Sequence, residues 1–202
     1  MLVVLFGITG SGKSYFKDKI TENLDFKKLV ILTNRDKRIK EIPGIDKYFL
    51  NDQELQEKID NNEIGYYFDF LGYRYAYLKS DLLTKDNIVM EMHYTEINKF
   101  KEMYPDALTI YVKPKNIDQA VSFLKTRNLD KQIEEKRIDE LKEEFALSQD
   151  PDFERQFDYV FINNYDDASF NRMLKLIKER KNKWKTYFLN LMKTWMLLYL
   201  NK

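Results

Sequence analysis

The stretch Gly7-Ile8-Thr9-Gly10-Ser11-Gly12-Lys13-Ser14 follows a short apolar run and reads G-x-x-x-x-G-K-S, the spacing of a nucleotide-binding P-loop. No other segment constrains this chain so strongly. Glycines let the backbone wrap until successive N–H groups face one centre, and a helix beginning near Lys13 adds its positive N-terminal end. A phosphate group fits such a centre. The motif therefore assigns Gly7, Thr9, Gly10, Ser11, Gly12, Lys13 and Ser14 to the phosphates of ATP. Lys13 would reach the β- and γ-phosphates, and the Ser14 hydroxyl would be a ligand of the accompanying Mg²⁺. Leu2 to Phe6 supplies the strand before the loop, and Ser14 to Leu24 the helix after it.

A P-loop needs a sheet behind it, and 202 residues, 44% hydrophobic and 33% charged, suffice for one such core. The formal charge of +1 provides no global field to draw nucleic acid or anionic lipid, so anion binding must come from local clusters. Lacking cysteine, the chain has no disulfide, thiolate nucleophile or cysteine-ligated metal site. Met1 to Phe6 is too short for a signal-peptide core, and no apolar run of about 18 residues occurs. These features predict a soluble cytoplasmic protein, monomer or homodimer, with neither nucleic acid nor membrane as a partner.

Further apolar runs at Leu29 to Leu32, Asn87 to His93, Leu108 to Val112 and Tyr159 to Ile162 are short, nearly continuous and separated by helical segments. That pattern belongs to parallel strands covered on both faces. It predicts an α/β chain of the P-loop NTPase fold, a parallel sheet with helices on both sides. Ligands in such sheets gather at the carboxyl ends of the strands. The P-loop and Arg35 both lie just past such ends and should open on one crevice.

From Thr33 to Phe49 the chain reads TNRDKRIKEIPGIDKYF and resembles the guanylate kinase family, whose corresponding stretch has the form T-T-R-x-x-R-x-x-E-x-x-G-x-D-Y-x-F. Thr33, Arg35, Arg38, Glu41, Gly44, Asp46 and Phe49 match. The resemblance implies that Arg35 and Arg38 hold the phosphate of an acceptor nucleoside monophosphate, a task that suits planar guanidinium forks. It continues into the aromatic segment Gly65 to Tyr77, a small hairpin in which Gly72 and Tyr75 match G-N-Y-Y-G-T. Tyr75 would donate its hydroxyl to the acceptor phosphate and Arg74 would add charge there. Tyr67, Phe68 and Phe70 read as the core of the small sheet. Glu91 matches the family's L-E-I-D, beside the acceptor base or the metal's water shell. His93 replaces the second acid and reads as structural. Arg127 and Arg137 keep the arginine spacing of the family's lid, although Asn128 stands where the family has glycine. The charged excursion 126–138 has little apolar surface to bury and should be mobile when empty, closing both arginines onto the transferring phosphoryl group. Asn163-Asn164 is similar to the strand ending V-I-V-N-D, which would place Asn164 at the donor adenine.

The departures from the family are as informative. Aligned by Arg35 and Gly72, the family's guanine-reading serine falls on Ile31, its guanine-reading glutamate on Tyr66 and the following hydroxyl residue on Tyr77. The phosphate-binding tyrosine falls on Lys47, with Tyr48 as its neighbour. Guanine presents N1–H and N2–H₂ donors, and without the carboxylate these are left unpaired. Selective use of GMP is therefore not expected. Either a relaxed base preference or a different acceptor, such as a deoxynucleotide or modified base stacked on Tyr66 and Tyr77, is expected instead, unless a shift of the hairpin register brings Asp69 into the glutamate's place.

Residues 1–180 carry the resemblance, with the acceptor-binding part at about 34–83. In 181–202, Trp184, Tyr187, Phe188, Leu191, Trp195 and Tyr199 recur at helical spacing, an apolar face expected to pack on its own domain or a second subunit, with attachment to a membrane surface as the alternative. The function implied is an ATP- and Mg²⁺-dependent nucleoside monophosphate kinase, with Lys13, Arg38, Arg127 and Arg137 in catalytic roles. An inactive binding module of the same fold and another type of P-loop ATPase are the alternatives. The intact P-loop favours the enzyme over the first, and the arginine-rich acceptor motif favours it over the second.

Overall fold

The computed structural model describes residues 1–39, 41–127 and 129–200, with the side chains of residues 184–185 and 187–200 outside the description. In chain order the elements are β1 (Leu2–Phe6), α1 (Lys13–Asn23), β2 (Lys27–Lys28), β3 (Ile31–Thr33), β4 (Lys47–Phe49), α2 (Asp52–Asp60), β5 (Ile64–Phe70), β6 (Tyr73–Leu78) and α3 (Lys79–Leu82). Then come β7 (Ile88–Met92), α4 (Ile97–Met103), β8 (Leu108–Pro114), α5 (Ile117–Lys125), α6 (Lys131–Leu147), α7 (Pro151–Glu154), β9 (Tyr159–Asn163) and α8 (Asp167–Leu200).

The main sheet has the order β2-β7-β1-β8-β9, and its strands all pair in parallel. β1 is central, and its side chains show why it can be wholly apolar. Val3 and Leu5 enter one cluster with Phe16 and Ile20 of α1 and Met173 and Ile177 of α8. Val4 and Phe6 enter the other with Met90, Phe100 and Tyr111. Both faces are buried, so the strand needs no polar alternation. The expected parallel architecture is present, with its carboxyl ends converging on the P-loop.

The run at Leu29 to Leu32 departs from expectation. The apolar pattern predicts one core strand, but the chain divides there. Lys27–Lys28 forms the edge of the main sheet, whereas Ile31–Thr33 leaves it and joins a second sheet of order β4-β3-β6-β5. In that sheet β3 runs parallel to β4 and antiparallel to β6, which pairs with β5 as the expected hairpin. A short apolar run cannot reveal which of two sheets will claim it. Helix α2 is held over the outer face by Leu55, which packs with Leu32 and Ala76. It is capped by a reciprocal pair: Glu54 N–H donates to Asn51 Oδ1 at 2.8 Å and Asn51 N–H to Glu54 Oε2 at 2.7 Å.

The charged excursion after α5 is largely helical. Its outer turn has little apolar burial, as expected, and Ile133 is exposed. Its root is different, because Leu129 and Ile138 pack on a cluster of Ile8, Ala120, Leu124 and Leu141. Asn128 lies outside the described residues. The terminal segment is one unbroken helix, Asp167–Leu200, and no helix among the described residues is long and apolar enough to cross a membrane. The apolar face expected from Trp184 to Tyr199 lies outside the described side chains.

Candidate active site

The P-loop geometry follows from its glycines. Gly10 and Gly12 have φ of 76° and 96°, a left-handed backbone that an L side chain resists. There is also no room for one: a Cβ on Gly10 would stand 2.8 Å from the Ala120 carbonyl oxygen, and one on Gly12 2.5 Å from Asn163 Nδ2. Gly12 is the N-cap of α1, no side chain caps that helix, and its first turn carries no acidic residue. Its first N–H groups are thus left for an anion.

Lys13 lies folded over this loop, its Nζ donating to the Gly7 and Ile8 carbonyl oxygens at 2.7 Å each. Burial lowers its pKa to about 8, against the opposing attraction of Glu91 and Glu144. At the mouth of the loop Ser14 Oγ donates to Glu91 Oε2 at 2.7 Å, and Lys17 Nζ donates to Glu91 Oε1 at 3.0 Å. Burial opposes the Glu91 charge, but the Lys17, Lys47 and Lys13 ammoniums more than offset it and hold the carboxyl well below the usual range.

Among the described residues no group of three or more His, Cys, Asp or Glu side chains could hold a metal. The Ser14 hydroxyl and Glu91 carboxylate are nevertheless hard oxygen donors side by side, which suits Mg²⁺ arriving with its phosphates and waters rather than a resident ion.

The P-loop opens into a cavity of about 1100 Å³ that also reaches Arg35, Arg38, Lys47, Tyr75, Glu91, Arg127 and Arg137. The four arginines share one region, in which Glu41 lies 3.9 Å from Arg38 and Glu140 lies 3.5 Å from Arg137. Arg127 has its pKa pushed down to about 10, first by burial and then by Arg38, Arg137 and Arg35. Arg38 is lowered by burial and by Arg35. Arg35 has a partner, Nη2 donating to Glu41 Oε1 at 2.7 Å, while its buried Nε has no hydrogen-bond acceptor. Arg137 Nη2 reaches Thr9 Oγ1 at 3.2 Å and so ties α6 to the P-loop. Cations gathered this closely repel one another, and a bound polyanion would relieve it.

Several residues expected at the site lie elsewhere. Tyr66 and Tyr77 are only 2% and 1% exposed and do not line the cavity. Their hydroxyls are spent inside the core, Tyr66 on Glu96 Oε2 at 3.0 Å and Tyr77 on the Glu91 carbonyl at 2.7 Å. Neither ring is open to a base. Arg74 turns outward to Asp52 and Gln56, because alternation along β6 puts it on the face opposite Tyr73 and Tyr75. Tyr48 likewise faces away, and its neighbour Lys47 lines the cavity. Asp69 is exposed, accepts from the Tyr67 hydroxyl at 2.9 Å and does not line the cavity. Asn164 is tied through its N–H to Ser169 Oγ.

In place of Asn164 the structure uses its neighbours. Asn163 Nδ2 donates to the Ser11 carbonyl at 2.9 Å, and the Tyr165 hydroxyl to the Gly10 carbonyl at 2.7 Å. Both clamp the P-loop from β9, and Tyr165 stacks on Phe123 with ring centroids 5.3 Å apart. The sequence singled out only the pair Asn163-Asn164, which cannot say which side chain faces inward, and gave no signal for Tyr165. His93 is buried between Phe70 and Tyr94, its Nε2 3.0 Å from Glu144 Oε1 on α6 and its Nδ1 3.1 Å from Thr95 Oγ1. Burial lowers its pKa despite Glu144.

A family model described as guanylate kinase matches residues 1–180. Curated guanylate kinases of Streptococcus pneumoniae strain R6 and Streptococcus mutans are each 26% identical over 185 residues, covering 88% of this chain and 86% and 85% of theirs. The crystal structure of guanylate kinase from Anaplasma phagocytophilum superposes with a TM-score of 0.68 at 20% identity, over 89% of this chain and 85% of that one. Its likeness shows the shared P-loop fold. With the family match spanning nearly the whole chain, this protein belongs to the guanylate kinase family.

Proposed function

We propose that the protein is an ATP-dependent nucleoside monophosphate kinase that does not use GMP selectively. The observation that carries the kinase reading is that one cavity is lined both by the P-loop cradle and by a second set of cations, Arg35, Arg38, Arg127 and Arg137. An ATPase without an acceptor has no use for the second set of cations. Transfer between two phosphates asks chiefly for alignment and neutralisation of charge.

In this reading ATP lies along the P-loop with its base near the Phe123–Tyr165 stack. Lys13 leaves the Gly7 and Ile8 carbonyls for the β- and γ-phosphates. Arg35, already fixed by Glu41, and Arg38 hold the acceptor phosphate, together with the Tyr75 hydroxyl. Arg127 and Arg137 close on the transferring group. Ser14 and Glu91 would hold Mg²⁺ directly or through its water, and the ion would supply charge neutralisation at the phosphate oxygens. The reading needs neither nucleic acid nor a membrane.

The reading against GMP rests on Ile31, Tyr66 and Tyr77, which place no carboxylate or small hydroxyl where guanine's donors would need one. ADP release measured with ATP, Mg²⁺ and each common nucleoside monophosphate tests both parts. ADP formed at the same rate with and without every acceptor would remove the kinase reading.

A further inference from the structure

Strand pairing places Ile31, Phe68, Phe70, Tyr73 and Tyr75 on one face of the small sheet, and all five line the cavity beyond the arginines. Phe68 and Tyr75 stack with centroids 5.3 Å apart and ring planes at 15°. This is an apolar and aromatic wall on which a flat base can lie. Farther along the same face Tyr66 and Tyr77 fill the space with buried rings, their hydroxyls already used inward.

The polar groups within reach are unevenly divided. Both oxygens of Glu91 already accept, from Ser14 and Lys17. Both ring nitrogens of His93 are engaged, and Asp69 lies on the opposite face. Donors are available instead: the ammonium of Lys47, which can only donate and whose Nζ stands 5.9 Å from the centre of the Tyr75 ring, and the hydroxyl of Tyr73, which can donate or accept, the Tyr75 hydroxyl being left to the phosphate. A buried N–H left without an acceptor is penalised by its lost hydration. Guanine brings three such N–H bonds on its pairing edge, and adenine and cytosine bring an amino group. A pyrimidine with two ring carbonyls brings one N–H and two acceptors.

Resting on the kinase reading above, we propose that the acceptor is a monophosphate of a dioxopyrimidine, uracil or thymine, laid against the Phe68–Tyr75 wall with its carbonyl edge toward hydroxyl and ammonium donors. Ile31 and Phe70 give a 5-methyl group an apolar surface, so thymine is favoured over uracil.

Paired nucleotides separate this from size and sugar effects. dUMP and dCMP have nearly the same shape and differ at the N3/C4 edge, while dTMP adds only the methyl group. The expected result is a kcat/KM at least tenfold higher for dUMP than for dCMP, with dTMP equal to or better than dUMP and dGMP at least tenfold below dTMP. Equal use of dUMP and dCMP, or dGMP as the best acceptor, overturns the base assignment and leaves the kinase reading intact. Calorimetric binding of the same nucleotides in the presence of a non-hydrolysable ATP analogue reads the preference without turnover. A protein that binds dUMP tenfold more tightly than dCMP yet transfers no phosphate keeps the base assignment and loses the kinase. Equal binding of the two removes the base assignment.

Discussion

Ser14 and Glu91 stand 77 positions apart in sequence, yet Ser14 Oγ donates to Glu91 Oε2 at 2.7 Å. Because β1 and β7 pair in parallel with Leu5 opposite Glu91, the carboxylate arrives at the foot of the P-loop. There it also holds Lys17, which is 5% exposed. Glu91 thus neutralises a buried lysine while facing the place where a metal-bound triphosphate would lie.

Replacing Glu91 with Gln should therefore cost both stability and turnover. Lys17 would be left charged and buried, a loss of about 3–5 kcal/mol. Since the carboxyl is held below its usual range, its contribution is fully present above about pH 4.5 and is lost as pH falls toward the folded value. The Tm difference between wild type and Glu91→Gln should narrow from pH 7 to pH 3. A gap that stays constant would mean Glu91 does not titrate as described.

Lys13→Met should nearly abolish phosphoryl transfer. With the empty-site amine lowered to about 8, most of the Lys13 population is neutral at pH 9. ATP favours the charged form, so binding at that pH should take up close to one proton. Calorimetry in buffers of different ionisation enthalpy reads this uptake, and Lys13→Met should lose it. Unchanged uptake in the variant would assign the proton elsewhere.

Arg38→Ala should weaken nucleoside monophosphate binding at least tenfold and ATP binding by less than threefold, since in the proposed reading Arg38 holds the acceptor phosphate. Arg35→Ala should do the same and also lower Tm, because it strips Glu41 of its 2.7 Å partner. Equal losses for donor and acceptor, read by titration, would show that the two arginines do not divide the site as described.

Arg137→Ala and Arg127→Ala should each reduce kcat by roughly 10³, the scale of an arginine that stabilises transferring phosphate. Their effect on the Kd of the acceptor alone should be small. For Arg137 the loss of the Thr9 contact gives a second readout, faster amide exchange in the P-loop. A kcat within threefold of wild type in both variants would exclude them from the chemistry.

The sequence by itself determined what depends on local spacing. Eight consecutive residues define the P-loop, because the glycine conformations and the helix start are set within one turn of chain. Arg35 and Arg38 were singled out by the resemblance of residues 33–49 to the family's T-T-R-x-x-R-x-x-E stretch, and both line the cavity. The parallel sheet was visible in strands that are apolar on both faces. Which side chains of a strand face the ligand was decided only by tertiary structure. Period-2 alternation separates Arg74 from Tyr75 and Tyr48 from Lys47, but the facing set depends on the sheet the strand joins, and the break between Lys28 and Ile31 assigned those strands to the second sheet. Burial was equally hidden. Tyr66 and Tyr77 resemble ligand aromatics in sequence and become core because Glu96 and the Glu91 carbonyl satisfy their hydroxyls from distant segments. The contact of Asn163 with Ser11 spans 152 positions, a distance over which no local pattern can choose between adjacent asparagines. Packing of β9 beside β8 makes that choice, and with it the Asn163 clamp on the phosphate loop.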